Sequence, residues 1–556
     1  MSSRLTISFI LNGHAPFIRH PELSNPSQEI WLFESISDTY IPLLEVFDRL
    51  DRELIPFRMG LALSPVLCHM LGDELLVQRY LEYTEKQIAF GASELERTAD
   101  NPELNSLVKF FYDRVVEKKT FFSERHENNI LKGFDYFQKK GRLEILTTAA
   151  TNAYLPFYTS YPEAIRSQFE VSIASYRSSF GRVPQGFWLP ELGWKDDLDS
   201  WLRVYNFSYT VVDTHALIFA RPFAEKGSFY PARTSQGIVV LGRDFHAAEN
   251  IAEIVKDPVF RNNYRDQGFE LPSERVELFL GPQGSRTGTG YKYWAAGENP
   301  PLPKTEVKPK AETTRNQPPN KTEGSPVPLG NNVLYNPGMA LDNAKNYACA
   351  FLDSVILRLK SASDLFDGSA LSLCAFEADS FGRFWYEGPE FIEALFREGI
   401  KNEEIQFMTP SEYYCKLESA SFQQLTPEFS SWGTNGYAET WLDASNDWMY
   451  RHAMRALDRM VEIVERFPDT TGLKERALNQ AAREILLSIS SDWSKMLYKQ
   501  ENADYARSRI ESSLRNFTTI YEALGSNYIS TEWLTQLERR NNIFPNINYR
   551  VFRRKQ

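Results

Sequence analysis

Apolar residues fall along this chain in two rhythms. Up to about residue 290, short runs rich in β-branched and aromatic residues alternate with longer stretches in which apolar positions recur every three to four residues. The short runs at 4–11, 57–63, 143–148, 186–189 and 209–212 predict strands, and a sixth follows at 371–376. Between them the helical period predicts helices over 41–53, 73–97, 161–180 and 196–205. Strands alternating with helices in this way predict a mostly parallel sheet of the α/β class. From about Thr426 the rhythm becomes helical throughout. Met449, Ala453, Leu457, Met460, Val464 and Phe467 form one apolar stripe, and Leu478, Ala482, Ile485 and Ile489 form a second. Ile510, Leu514, Phe517, Tyr521 and Leu524 form a third that ends at Gly525, and a last short helix begins near Ser530 and stops before Pro545. The expected organisation is a barrel-like domain over 1–425 and a helical domain over 426–556.

Residues 298–330 fit neither rhythm. They hold eight of the 30 prolines and no aromatic residue, so they bury too little apolar surface to offset the entropy of ordering. They are expected to form a disordered insertion within the first domain, because the strand pattern resumes beyond them.

Each predicted strand runs into polar or special residues. Asn12, Gly13 and His14 follow the first, Ser64 the second, Asn152 the third, Glu191 the fourth, Asp213 and His215 the fifth, and Glu377 and Asp379 the sixth. Barrel enzymes carry their chemistry at the C-terminal ends of strands, so these are the candidate site residues. The densest motif is 186–194, in which Pro190 halts a strand and Glu191 lies between Trp188 and Trp194. A second motif, 376–388, carries Glu377 and Asp379 followed by Arg383, Phe384, Trp385 and Tyr386. A third, 431–443, presents Trp432 and Tyr437 on a Gly- and Asn-rich loop, with Trp441 and Trp448 read equally well as packing residues; Asp492-Trp493 is ambiguous in the same way.

Composition narrows the chemistry. The chain has 556 residues, 62 basic against 73 acidic side chains, and a net charge of -11 with no basic block, which argues against nucleic-acid or anionic-membrane partners. No run approaches the roughly 20 apolar residues of a membrane span, and the N-terminal apolar stretch is too short for a secretory signal. A soluble, cytoplasmic location is the expectation. Four widely spaced cysteines and seven histidines offer neither a disulfide framework nor a helical zinc motif, and the thiols are expected to be reduced and mostly buried. Aromatics make up 14% of the chain. Sugars stack on aromatic rings and are cleaved by carboxylate pairs, so aromatic surface beside carboxylates points to carbohydrate chemistry.

The motifs resemble glycoside hydrolase family 57, in its branch of α-1,4-glucan branching enzymes and α-amylase-like proteins. The resemblance runs through 11–22, 31–34, 61–65, 155–156, 186–191, 212–215, 279–282, 381–388, 431–433, 478–484 and 542–545. It implies an incomplete (β/α)7 barrel followed by an α-helical C-terminal domain that completes a glucan cleft, and a retaining mechanism with no metal or cofactor. It also implies Glu191 as nucleophile and Glu377 at the acid/base position, where the family carries Asp. His14, Asn12, Asn152, Trp188, Asp213, His215, Asp379, Arg383, Trp385, Trp432 and Trp493 are then the candidate substrate-binding residues.

The chain departs from the family pattern close to that pair. Asn12, Asn152 and Arg383 stand where relatives carry His, and the Tyr-Pro-Gly-Asp run expected after Asp244 is absent. Glu in place of Asp moves the carboxyl outward by about 1 Å, a displacement that can cost roughly 10²-fold in rate. Arg383 is expected to lower the pKa of Glu377 and oppose its work as an acid. Three functions stay open: a retaining branching or hydrolytic α-glucan enzyme, at full or weakened activity; an inactive glucan-binding or regulatory protein; and a metal-dependent deacetylase or mannosidase using His14, Asp213 and His215. Glucan length preference and oligomeric state are left open.

Overall fold

In the computed structural model, which describes residues 5–281, 284–297, 333–365, 370–418 and 421–555, the strands form one twisted sheet. In chain order they are β1 (Leu5–Gly13), β2 (Met59–Leu63), β3 (Leu143–Thr148), β4 (Gly186–Trp188), β5 (Tyr209–Val212), β6 (Ala232–Arg233), β7 (Val239–Gly242), β8 (Leu371–Glu377), β9 (Ile405–Phe407) and β10 (Gln423–Gln424). The run β7-β5-β4-β3-β2-β1-β8 is parallel throughout, with β9 added to the start of β1, the short β6 antiparallel beside β7, and β10 beyond β6. Among the described residues no ladder joins the outer strands of that run. Instead the Asp244 N–H donates to the Leu373 carbonyl at 2.8 Å, and the Ser372 hydroxyl donates to the Asp244 carboxylate at 2.5 Å. The result is the incomplete seven-stranded barrel that the resemblance implied.

Both faces of the strands are apolar, which is why they read as continuous runs. Ile10, Ala62, Leu146, Trp188, Val211, Leu241, Leu373 and Ala375 fill the barrel interior, while Phe9, Leu11, Leu61, Ile145, Phe187, Val240 and Phe376 pack outward against the helices. The two-residue period then positions the chemistry. Continuing from Ile10 to Asn12, and from Leu373 through Ala375 to Glu377, brings both polar residues to the interior face at the mouth, where they are register partners.

Beyond the barrel lie the helices Asp447–Arg466, Leu473–Ser488, Ser491–Lys499, Ala503–Gly525 and Thr531–Arg540. The Leu473–Ser488 helix is central, and nearly all of its second half is buried. Arg483 on it donates to the carbonyls of Ile543 at 2.8 Å and Phe544 at 3.4 Å, so two of the recognised motifs hold each other in place and lie away from the barrel mouth. The helix Ser491–Lys499 was not anticipated as an element. Its Ser491, Asp492 and Ser494 are buried together with Trp493 and Leu497, so polar residues share the buried part of the helix.

The expected disordered insertion at 298–330 lies outside the described residues. The cysteine expectation needs correction: all four are free thiols, but Cys349 and Cys415 are exposed and only Cys68 and Cys374 are buried. Among the described residues, no helix is long and apolar enough to cross a membrane.

Candidate active site

A cleft of about 1230 Å³, open to solvent, lies at the C-terminal ends of the strands. It brings together Asn12, His14, Asn152, Glu191, Glu377, Asp379, Arg383 and Trp432 from the predicted set. Trp31, Phe384, Asp492, Lys495 and Lys499 also line it.

Glu191 sits one turn past β4, where Pro190 ends the strand. Its backbone is left-handed, with φ 59° and ψ 20°, and Leu192 follows at φ 50°. A non-glycine residue in that region carries strain, which persists only where the surroundings over-determine it. Here the surroundings are extensive. The Glu191 carbonyl accepts the Trp432 N–H at 2.9 Å. Its carboxylate accepts the Trp432 indole N–H at 2.7 Å on Oε2, and on Oε1 the Asn152 amide at 3.1 Å and the Ser491 hydroxyl at 3.0 Å. Asn152 is itself left-handed, at φ 53°. The buried Glu191 carboxylate is thereby aimed by three donors from three separate segments.

Glu377 ends β8 on the opposite side of the cleft. Its Oε1 lies 2.9 Å from the Lys495 ammonium, and the side chain remains 40% exposed to the cleft. The neighbouring Lys495 charge, outweighing the opposing effect of desolvation, holds the Glu377 carboxyl below its usual pKa, with Lys499 and His14 adding to it. The expected direction was therefore right and the expected cation wrong. Arg383 is turned away, its Nε donating to Glu34 at 3.1 Å and its Nη1 lying 3.7 Å from Asp379.

Asp379 accepts hydrogen bonds from Ser35 at 2.7 Å and Thr39 at 3.2 Å. Both donors flank or occupy a π turn, Ile36–Tyr40, that interrupts the helical run from Glu29 to Arg52. Burial raises the Asp379 pKa against the opposing pull of Arg383 and the two hydroxyls. Gly382 is required beside it, since a Cβ there would stand 2.2 Å from the Asp38 carbonyl oxygen.

His14, just past β1, accepts or donates at Nδ1 with Ser64 at 2.8 Å and reaches Asp492 with Nε2 at 2.9 Å. Burial disfavours its charged form, but the Asp492 carboxylate outweighs that and the imidazole pKa is raised. For Asp492 burial acts upward and His14 downward, with a net lowered pKa.

Five predicted substrate contacts are not in the cleft. Trp188 points into the barrel interior, edge-on beneath Trp432 at 5.6 Å, because the strand parity that exposes the mouth buries position 188. Trp385 is buried between Phe260, Phe381 and Phe391, while its neighbour Phe384 is 50% exposed and lines the cleft. Trp493 is buried and donates to the Leu487 carbonyl at 2.7 Å. Asp213 pairs with Arg243 at 2.8 Å, and His215 bonds the Gly436 carbonyl at 2.8 Å. These two brace the loop that carries Trp432, whose ring lies 5.8 Å from the Arg243 guanidinium.

Asp213 and His215 therefore do not share a ligand set with His14. Among the described residues no group of three or more His, Cys, Asp or Glu side chains is arranged to hold a metal ion. Of the contributions absent from the predicted site set, Trp31 lies in a recognised motif and Phe384 was visible beside Trp385. Lys495 gave no signal.

Known proteins resemble this chain over its whole length. The family model described as Glycosyl hydrolase family 57 matches residues 8–252, and that described as 1,4-alpha-glucan branching enzyme, C-terminal, matches residues 452–552. The crystal structure of the α-amylase AmyC from Thermotoga maritima superimposes with a TM-score of 0.87 at 31% identity, covering 100% of both chains. A 1,4-alpha-glucan branching enzyme of Thermococcus kodakarensis is 26% identical over 566 residues, which span 97% of this chain and 77% of that protein. The GH57-type branching enzyme of Pyrococcus horikoshii shares the fold, with a TM-score of 0.85 at 23% identity, over 99% of this chain and 97% of its own.

Proposed function

Because this chain belongs to glycosyl hydrolase family 57, we propose that it is a retaining α-1,4-glucan enzyme acting chiefly as a branching transglycosylase. In this reading Glu191 attacks the anomeric carbon of a bound glucan while Glu377 protonates the departing glycosidic oxygen. The covalent glycosyl-enzyme is then released when Glu377 takes the proton of an acceptor hydroxyl, and the new bond forms as the Glu191 ester breaks. An acceptor from a second glucan gives a branch, whereas water gives hydrolysis.

The observation that carries the reading is Glu191 itself: a strained, buried carboxylate at a strand end, aimed by Asn152, Ser491 and Trp432 into a cleft that Glu377 enters from the other side. Asn152, which stands where relatives carry His, is one of those three donors, which favours an adapted site over a decayed one. Branching is favoured because Ser491, Asp492 and Lys495 all fall within the segment similar to branching-enzyme C-terminal regions. Trp31, Phe384 and Trp432 are the aromatic faces available to a glucan.

The test is incubation with amylose, following iodine staining, reducing ends and branch content. The wild type is expected to gain branches with few new reducing ends, and Glu191→Gln to lose more than about 10³-fold in rate, on the scale that removal of a nucleophile costs other hydrolases. Glucan binding without turnover, with Glu191→Gln indistinguishable from the wild type, would instead identify a binding protein.

A further inference from the structure

Three residues of one nine-residue helix reach three different groups of the cleft. From Ser491–Lys499, Ser491 bonds Glu191 at 3.0 Å, Asp492 bonds His14 at 2.9 Å, and Lys495 bonds Glu377 at 2.9 Å. The helix start is fixed to the loop after β3 by the Ser491 N–H donating to the Asn152 carbonyl at 3.2 Å, and Ser490 caps its first turn. Position 495 is four residues from 491 and three from 492, so all three contacts come from one side of a rigid helix.

We infer that Lys495 is a positioning residue for Glu377: its ammonium fixes the carboxylate and limits how far up in pH Glu377 carries the proton that the first half-reaction needs. This rests on Glu377 being the acid/base of the proposed reaction. In the first half-reaction the proton moves from the Glu377 carboxyl to the glycosidic oxygen as the anomeric C–O bond breaks and the Glu191 ester forms. In the second the acceptor O–H proton moves to the Glu377 carboxylate as the ester breaks. A cation held against Glu377 stabilises its ionised form, so the carboxyl keeps the proton for the first transfer only up to a lower pH, and the carboxylate it leaves is a weaker base in the second. It also restrains a side chain one methylene longer than the family's Asp, so that the extra freedom does not cost alignment.

The surroundings leave Lys495 as the dominant partner. Lys499 and His14 add weaker positive influence on Glu377, and Asp379 a negative one. Arg383 is committed to Glu34 and Asp379. On the other side Lys495 also feels Glu191 and Asp492, which keep it charged.

The experiment is the pH dependence of kcat/KM on amylose, whose basic limb reports loss of the acid's proton in the free enzyme. Lys495→Met is expected to move that limb to higher pH, and Lys495→Gln, which keeps a donor without charge, to move it likewise. Lys495→Arg, which keeps the charge, is expected to leave it near the wild-type position. A lower rate at every pH in both uncharged variants, with the limb unmoved, would overturn the inference and reduce Lys495 to a packing residue. Glu377→Gln separates this from failure of the reading beneath it. With an aryl α-maltooligoside whose leaving group needs no protonation, that variant is expected to retain glycosylation, to lose turnover of amylose, and to yield the glycosyl azide when azide is added. Undiminished amylose turnover by Glu377→Gln would remove Glu377 from the reaction itself.

Discussion

Asn12 and Glu377 enter the cleft because a strand's side chains alternate, and two parallel strands in register carry that alternation to the barrel mouth together. Ser491, Asp492 and Lys495 enter it from the opposite direction, on a short helix that buries Ser491 and Asp492 alongside Trp493 and Leu497. The strand ends supply the groups proposed to react; the helix supplies the groups that hold them. The difference lies in what fixes each half. Backbone ladders and an apolar interior fix the strand ends whatever stands at the tip, whereas the helix is held to the barrel partly through the site's own ion pairs and hydrogen bonds. Changes at strand ends should therefore cost rate with little effect on stability, and changes to the helix's polar contacts with the cleft should cost both.

Among the changes that test this contrast, the largest effect is expected from Glu377→Asp. If the cleft has adapted to the longer side chain through its contact with Lys495, shortening it withdraws the carboxyl by about 1 Å and costs roughly 10²-fold in kcat/KM. Thermal stability should scarcely change, since the residue lies at a partly exposed strand end. A decayed site predicts the opposite sign, with the Glu377→Asp variant more active than the wild type. Kinetics on amylose beside a thermal melt distinguish the two, and a gain in rate would end the division of labour drawn above.

Asp492→Asn comes next and should register in both measurements. His14 and Asp492 are each only 11% exposed at the side chain, so a charge-assisted bond worth about 2 kcal/mol is at stake. His14 has a raised pKa when folded, so its contribution is complete below 6.5 and is lost as pH rises through the folded value. Asp492 has a lowered one, so its contribution is complete above 3.8 and is lost as pH falls through the folded value. The stability gap between wild type and variant should accordingly be widest between pH 3.8 and 6.5 and should close on either side. Urea unfolding across that range checks the window. A gap that stays constant with pH would mean that the pair is neutral and that the helix is held by packing alone.

The same contrast accounts for what the sequence made legible. The strand ends could be read because apolar runs and the polar residues after them are local signals, and Glu191, Glu377, His14 and Asn152 all came from that rule. The short β7 was missed although the turn at Thr234–Gly237 precedes it, since so short an apolar run carries little pattern on its own. The helix Ser491–Lys499 was illegible for a different reason: Ser491 and Asp492 are buried against partners 300 and 478 residues away, and nothing in the local period encodes them. The tryptophans Trp188, Trp385 and Trp493 were misread because large aromatics fill cores as readily as they line sugar subsites. Only the parity of the element decides which.

Adjacent aromatics give the smallest effect and the most direct test of that parity. Phe384 lies in the cleft and half in solvent, so Phe384→Ala should leave the melting temperature unchanged and weaken glucan binding by about 1 kcal/mol, or about fivefold in KM, the order an aromatic contact carries. Trp493→Phe should do the reverse. Its ring volume is largely kept, but the bond to the Leu487 carbonyl is lost, which costs about 1 kcal/mol of stability and leaves KM alone. Because Trp493 follows Asp492 on the helix, a KM change in this variant would mean that the helix relays core packing into the cleft. The positions of its polar face would then be set by the core behind it as much as by the strand ends it touches.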